Sequence, residues 1–138
     1  DSAGFNNLDN KFDIIYKDIN SSILITGLSV KPDESFIDKV INENKVNYKI
    51  NIMHYPDEFD NIKKYNYDLV LAGHSHNGQI ALPVYGAVIT PENAKEYYKP
   101  YYKIDNTLFY ISSGVGTTKF DYRFLNKPSF NLYRILKK

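Results

Sequence analysis

The period of the apolar positions changes along this chain, and each change marks an element. Residues 12–17 read as an extended segment, followed by a turn at Asn20-Ser21-Ser22. Ile23-Leu24-Ile25-Thr26 is a short apolar run closed by Gly27, the pattern of a buried strand. Pro32-Asp33-Glu34 then opens a helix, because proline is tolerated in a first turn and acids favour the positive end of the helix dipole. Phe36, Ile37, Val40 and Ile41 share one face of that helix. Residues 48–53 alternate as a strand aimed at His54, and Pro56-Asp57 begins a second helix with Phe59 and Ile62 as its inward pair. Asp68-Leu69-Val70-Leu71-Ala72 is apolar after its first residue, as in a central strand covered on both faces.

Beyond that strand the pattern becomes β-rich. Strands are expected at 80–82, 108–112 and 130–136, with a polar, tyrosine-rich excursion over 91–106 between them. A βαβαβ order followed by strands implies a layered α/β structure with a mixed sheet. In such sheets ligands collect at the carboxyl ends of the strands.

Composition narrows the function classes. The 138 residues, 43% of them hydrophobic, suffice for a single domain spanning 1–138. The formal charge of +1 is spread without a long run of one sign, so no nucleic-acid patch is evident, and Lys137-Lys138 reads as a solvated tail. The absence of cysteine excludes a disulfide scaffold and a thiolate zinc site. No segment reaches the roughly 20 apolar residues of a membrane span, and no signal peptide is present. The chain begins at Asp1 without methionine, which suggests processing or a cut from a longer protein. Its location is therefore left open between cytoplasmic and membrane-anchored. Tyr97-Tyr98 and Tyr101-Tyr102 read as aromatic anchors of a solvent-lapped loop, with substrate stacking as the alternative.

All three histidines follow predicted strands: His54 directly, and His74 and His76 within Gly73-His74-Ser75-His76-Asn77-Gly78. Neutral imidazole is a common ligand for zinc, iron and manganese. A His-x-His pair on extended backbone sends both rings to one side, and Gly73 and Gly78 let the chain turn and approach closely. A lone histidine after a strand is more often a hydrogen-bonded surface residue. The tight, glycine-framed pair favours a metal site, and the residues alone name no reaction.

The wider context does. Asn51-Ile52-Met53-His54-Tyr55-Pro56, followed by Asp68-Leu69-Val70-Leu71-Ala72-Gly73-His74-Ser75-His76-Asn77-Gly78-Gln79, resembles the last two motifs of the calcineurin-like metallophosphoesterases, in particular the bacterial phosphodiesterase-type members. Leu82-Pro83, Gly86, Tyr110-Ile111-Ser112-Ser113-Gly114-Val115-Gly116 and Arg123 continue the pattern. The resemblance covers most of the chain from Tyr48 onward and the first 45 or so residues only in outline.

The resemblance implies the C-terminal part of a four-layer α/β/β/α sandwich. It implies a hydrolase acting on a phosphorylated substrate, with two divalent metals (manganese, iron or zinc) that stabilise phosphoryl charge and generate a nucleophile near neutral pH. His54 and His74 resemble ligands of the second metal and His76 a ligand of the first. Arg123 is expected in a structural ion pair, and Asn77, where many relatives have glycine, is expected to tolerate a left-handed turn. The family's Asp-x-His, Gly-Asp-x-x-Asp and Gly-Asn-His-Asp/Glu motifs do not occur in this sequence. Asp1 alone matches the last position of one of them, which is too little to establish it. No catalytic residue is therefore assigned. The resemblance places the missing motifs in an N-terminal half of the same domain, and this chain by itself is expected to be inactive and either to self-associate through an uncovered sheet face and edge or to be only marginally stable. The competing expectation is a non-catalytic binding module on the same fold; a simple histidine-based metal-binding protein would leave the strand and glycine context unexplained.

Overall fold

A computed structural model describes residues 4–118 and 121–136. Asp1 and Lys137-Lys138, named above, lie outside the described residues. In chain order the elements are β1 (Lys11–Asp18), β2 (Ser21–Gly27), α1 (Glu34–Glu43), β3 (Tyr48–Ile52), α2 (Phe59–Ile62), β4 (Leu69–Ala72), β5 (Ala81–Leu82), β6 (Gly86–Ala87), β7 (Tyr101–Ile104) and β8 (Thr107–Ile111). Short 3-10 turns flank α2 on both sides.

Six strands form one mixed sheet in the order β1-β2-β3-β4-β8-β7, and β5 and β6 pair separately. Strands β2, β3, β4 and β8 are parallel, while β1 and β7 close the two edges antiparallel to their neighbours. The α/β class with a mixed sheet is as expected. Because β3, β4 and β8 run parallel, the segments holding His54, His74–His76 and Ser112–Gly114 all leave the sheet at the carboxyl ends of its strands.

Alternation along the strands sorts the side chains into two faces. One carries Leu24, Thr26, Asn51, Val70, Phe109 and Ile111, all buried. Helices α1 and α2 cover it with Ile37, Phe59 and Ile62, forming a core joined by Met53, Tyr65 and Tyr67. Burying one such aliphatic or aromatic side chain contributes about 1.5–3 kcal/mol, so this face dominates the stability. Phe59 stacks on Phe109 at 4.9 Å. Thr26 Oγ1 bonds Tyr67 Oη at 2.8 Å and accepts from Asn51 Nδ2 at 2.9 Å, which leaves Asn51 Oδ1 as the buried atom of this group without a partner.

Helix α1 starts where expected, with one change of detail. Asp33 is the cap rather than a first-turn residue, its carboxylate accepting from the amides of Ser35 (3.0 Å) and Phe36 (3.3 Å). Pro32 therefore precedes the cap. The Ser35 hydroxyl bond, followed by the Phe36 amide, holds the Asp33 carboxyl below the usual range.

The opposite face is covered less. Ile50 and Leu69 are buried, whereas Ile52 is 43% exposed and Ile15 52%. The C-terminal segment crosses this face: Tyr133 lies 5.2 Å from Tyr110, and Ile135 and Leu136 line a cavity with Ile15, Ile23 and Tyr48. This corrects the strand expected at 130–136. The segment has no backbone ladder, because it lies over the sheet face and not alongside β1 or β7. The excursion over 91–106 is likewise more regular than its polarity suggests. It contains β7, and Tyr97 and Tyr102 pack against the core. Tyr102 Oη accepts from the amides of Tyr98 (2.9 Å) and Lys99 (3.0 Å), an anchoring role. The turn at 20–22 is displaced, since Ser21 and Ser22 already belong to β2. Strand β5 is shorter than the 80–82 expectation and pairs with β6, which the sequence pattern did not reveal.

Candidate metal centre

The site begins with the last bonds of the sheet. Met53 N donates to Leu71 O at 3.0 Å, holding the exit of β3 beside that of β4 and setting His54 next to Gly73-His74. The chain then turns through an unusual backbone: His74 (φ 64°), His76 (47°), Asn77 (50°), Gly78 (77°) and Gln79 (52°) all take positive φ. For residues with a Cβ this region costs about 1–2 kcal/mol each, and such strain concentrates at functional sites. Asn77 adopts the left-handed conformation expected of it. Gly78 is needed twice, for its φ and because a Cβ there would clash with Ala87 Cβ. Gly73 has neither requirement, so the close approach attributed to both glycines belongs to Gly78. Ser75, fully buried, ties the turn down by accepting from Asn77 N (3.1 Å) and donating to Tyr98 O (3.3 Å).

His54 and His74 converge. His54 Nε2 and His74 Nδ1 lie 3.1 Å apart, and Tyr55 packs edge-on against His74 with ring centres at 4.6 Å. His74 Nε2 donates to Glu92 O at 2.8 Å. That bond places the proton on Nε2 and leaves the Nδ1 lone pair facing His54, the orientation that a carbonyl imposes on a metal-binding imidazole. Partial burial, then the neighbouring His74 and His76, lower the pKa of His54 and favour its neutral, ligating form.

His76 is held differently. Its Nδ1 accepts from Arg123 Nη2 at 3.1 Å, and its backbone carbonyl accepts from Asn126 Nδ2. Partial burial and then Arg123 lower its pKa. Arg123 was expected in an ion pair. Its partners are instead His76 and the carbonyls of Ser113 (2.7 Å), Gly114 (3.2 Å) and Gly116. Gly114, at φ 67°, presents its carbonyl to the guanidinium, and a Cβ added to it would meet the His76 ring at an ordinary contact distance of 3.5 Å. A cavity of about 350 Å³ opens beside His76, lined by Gln79, Ile89, Glu92, Lys95 and Thr118 among others.

Sequence reasoning missed Asp57 and Glu92. The Asp57 carboxylate accepts from the amides of Lys95 (2.7 Å), Glu96 (3.1 Å) and Tyr97 (3.0 Å), and its own amide donates to Asn93 O at 3.2 Å. Asp57 thereby docks the loop whose Glu92 carbonyl orients His74. Its place three residues after His54, with no apolar role, was the available signal. Glu92 acts through its backbone and left none.

The donor chemistry fits a divalent cation in part. Two imidazole nitrogens bound to one ion at about 2.0–2.1 Å stand on the order of 3 Å apart, which matches the His54–His74 separation. Among the described residues no group of three or more His, Cys, Asp or Glu side chains is assembled to hold a metal, so His76 is not joined to the pair.

The chain is related to the calcineurin-like metallophosphoesterases. It is 38% identical over 88 residues to the uncharacterized metallophosphoesterase YkuE of Bacillus subtilis (strain 168), covering 64% of this chain and 31% of that protein. It is 30% identical over 66 residues to the phosphodiesterase YaeI of Escherichia coli (strain K12), covering 48% of this chain and 24% of that protein. The matched stretches thus span under a third of either relative. No family model matches the chain, and no solved structure matches it significantly.

Proposed function

We propose that this chain is the C-terminal part of a metal-dependent phosphoesterase domain that hydrolyses a phosphomonoester or phosphodiester. In this reading His54 and His74 hold one divalent ion and His76 contributes to the other, with manganese, iron or zinc as the metals. The observation that carries it is the approach of His54 Nε2 to His74 Nδ1 at 3.1 Å, with the other nitrogen of His74 anchored on Glu92 O. When bound, the metals would supply charge neutralisation at the phosphoryl oxygens and lower the pKa of an attacking water. The residues of this chain bind and orient: Glu92 O fixes the tautomer of His74, Asp57 fixes the loop that carries Glu92, and the cavity beside His76 offers room for the rest of a phosphorylated substrate. A preceding segment would supply the bridging carboxylate and the proton donor, and would lay a second sheet on the Ile52 and Leu71 face to complete a four-layer sandwich. Without that segment the chain is inactive and self-associates through the same face.

The test is manganese-dependent hydrolysis of bis(p-nitrophenyl) phosphate by the longer parent protein, with a His74→Ala/His76→Ala double variant alongside. Turnover by the parent and none by the folded variant supports the reading. A parent that binds manganese and turns over neither this ester nor p-nitrophenyl phosphate favours the non-catalytic binding module.

A further inference from the structure

We propose that the cavity beside His76 is a specificity subsite for a compact, uncharged apolar group, so that the substrate is a phosphate ester of such a group and not a nucleotide or a phosphorylated sugar. The inference rests on the phosphoesterase reading above and names the substrate class of the same site.

Position gives the first step. The cavity is walled by His76 and by Glu92, the residue whose carbonyl orients His74. An ester group attached to a phosphoryl group at the histidines can therefore enter it without leaving the site. Its volume of about 350 Å³ stands near the lower end of ligand pockets, with room for several carbons and none for a long acyl chain.

The lining decides the chemistry. Its polar side chains are turned on one another. Gln79 Oε1 accepts from the amide of Thr118 (2.9 Å) and from its hydroxyl (3.2 Å), and Gln79 Nε2 donates to Tyr122 O at 2.7 Å. Lys95 Nζ donates to Thr90 O at 2.6 Å. Sugar hydroxyls buried here would compete for groups already bonded, and a polar group buried without a partner is costly. Among the described residues the charged side chains of the lining are Lys95 and Glu92, of opposite sign, so they leave no net charge for a second phosphate. No Tyr or Phe among the described residues lines it either, so a nucleobase would find no stacking platform. What remains for a ligand is the apolar wall of Ile80, Ile89 and Pro91. That wall is held in place before any ligand arrives: Val88 N donates to Ile80 O at 3.0 Å, and Ile89 O packs close over Gly78. Ile89 is nevertheless 57% exposed, and covering it removes apolar surface from water.

The test compares methyl, ethyl, propyl and butyl phosphate as competitive inhibitors of bis(p-nitrophenyl) phosphate hydrolysis by the manganese-loaded parent protein. Each added methylene is expected to tighten inhibition about threefold to fourfold. Thymidine 5′-monophosphate and glucose 6-phosphate should inhibit no better than methyl phosphate. Ile89→Asp should flatten the dependence on chain length, and Ile89→Leu should keep it. In the 138-residue chain, butyl phosphate should shift the methyl 13C signals of Ile80 and Ile89 and leave those of Ile15 and Ile135, which line a separate cavity. That readout needs neither turnover nor a folded variant. Equal inhibition by methyl and butyl phosphate, tighter inhibition by the nucleotide or the sugar phosphate, or shifts confined to Ile15 and Ile135 would each overturn the inference and leave the hydrolase reading intact. A manganese-loaded parent that turns over no ester overturns both.

Discussion

The two halves of the site are built on opposite principles. At His54 and His74 a backbone carbonyl takes the outer proton of His74, and its Nδ1 pairs with the Nε2 of a second imidazole that can itself ligate. At His76 the neighbour is a donor, and the ring nitrogen that it touches is occupied. Both pairs sit at the exit of adjacent parallel strands and both histidines of β4's loop take positive φ, so neither topology nor local backbone separates them. The difference lies in which remote residues reach back, Glu92 for His74 and Arg123 and Asn126 for His76. Histidine spacing alone therefore does not settle whether a histidine is ready to ligate.

The comparison breaks most sharply by removing one imidazole from each half. His74→Ala in this chain is expected to abolish measurable cobalt or zinc binding, because it deletes one of two converged donors. His76→Ala is expected to change affinity by less than about threefold, below the 10–100-fold scale of a typical outer-sphere change. Isothermal titration of both variants measures the contrast. Equal losses from the two would show that His76 already ligates and would remove the asymmetry.

A smaller effect should follow from Asp57, which supports only the His74 half. Asp57→Ala deletes a carboxylate that accepts three amides of the 95–97 segment. With the loop released, Glu92 O no longer fixes the tautomer of His74. Zinc affinity is expected to fall about tenfold, and chemical denaturation to report a loss of about 2 kcal/mol from the unpaired amides. The His76 ring signals should not move. A variant that loses stability and keeps full zinc affinity would show that Asp57 serves the fold alone.

These two histidine environments were legible to different depths. The apolar run Leu69-Val70-Leu71-Ala72 located the end of β4, so the position of His74 and His76 at a strand exit could be read directly. That His54 and His74 belong together was implied only by the family resemblance; the adjacent parallel strands β3 and β4 are what bring them side by side. The roles of Asp57, Glu92 and Arg123 were not legible, because they bond backbone groups and backbone leaves no residue-type signature. Arg123 illustrates this: a charge invites an ion-pair reading, while its acceptors are carbonyls, one of them presented by left-handed Gly114. The strand expected at 130–136 failed for a related reason. Its apolar spacing is real, but the segment uses it to lie across the sheet face against Tyr110, Ile15 and Ile23 instead of pairing alongside an edge strand.

The smallest expected effect is one that both halves share for different causes. The pKa of His54 is lowered by partial burial and then by its histidine neighbours; that of His76 is lowered by partial burial and then by Arg123. The unfolded chain titrates its histidines near 6.5. Between the lowered folded values and about 6.5 the unfolded state binds more protons, so stability rises with pH through that window, and below it these two groups no longer change it. The Asp33 carboxyl, held below its usual range, titrates under this window and does not contribute to it. Denaturation midpoints of the metal-free chain should therefore decline from pH 7.5 to pH 5.5. His54→Gln and His76→Gln should each remove part of the slope. In an Arg123→Met background the His76 share should shrink while the His54 share stays, which separates the donor-held ring from the acceptor-held pair. A midpoint that is flat or rises on acidification would contradict the neutral state assigned to both rings.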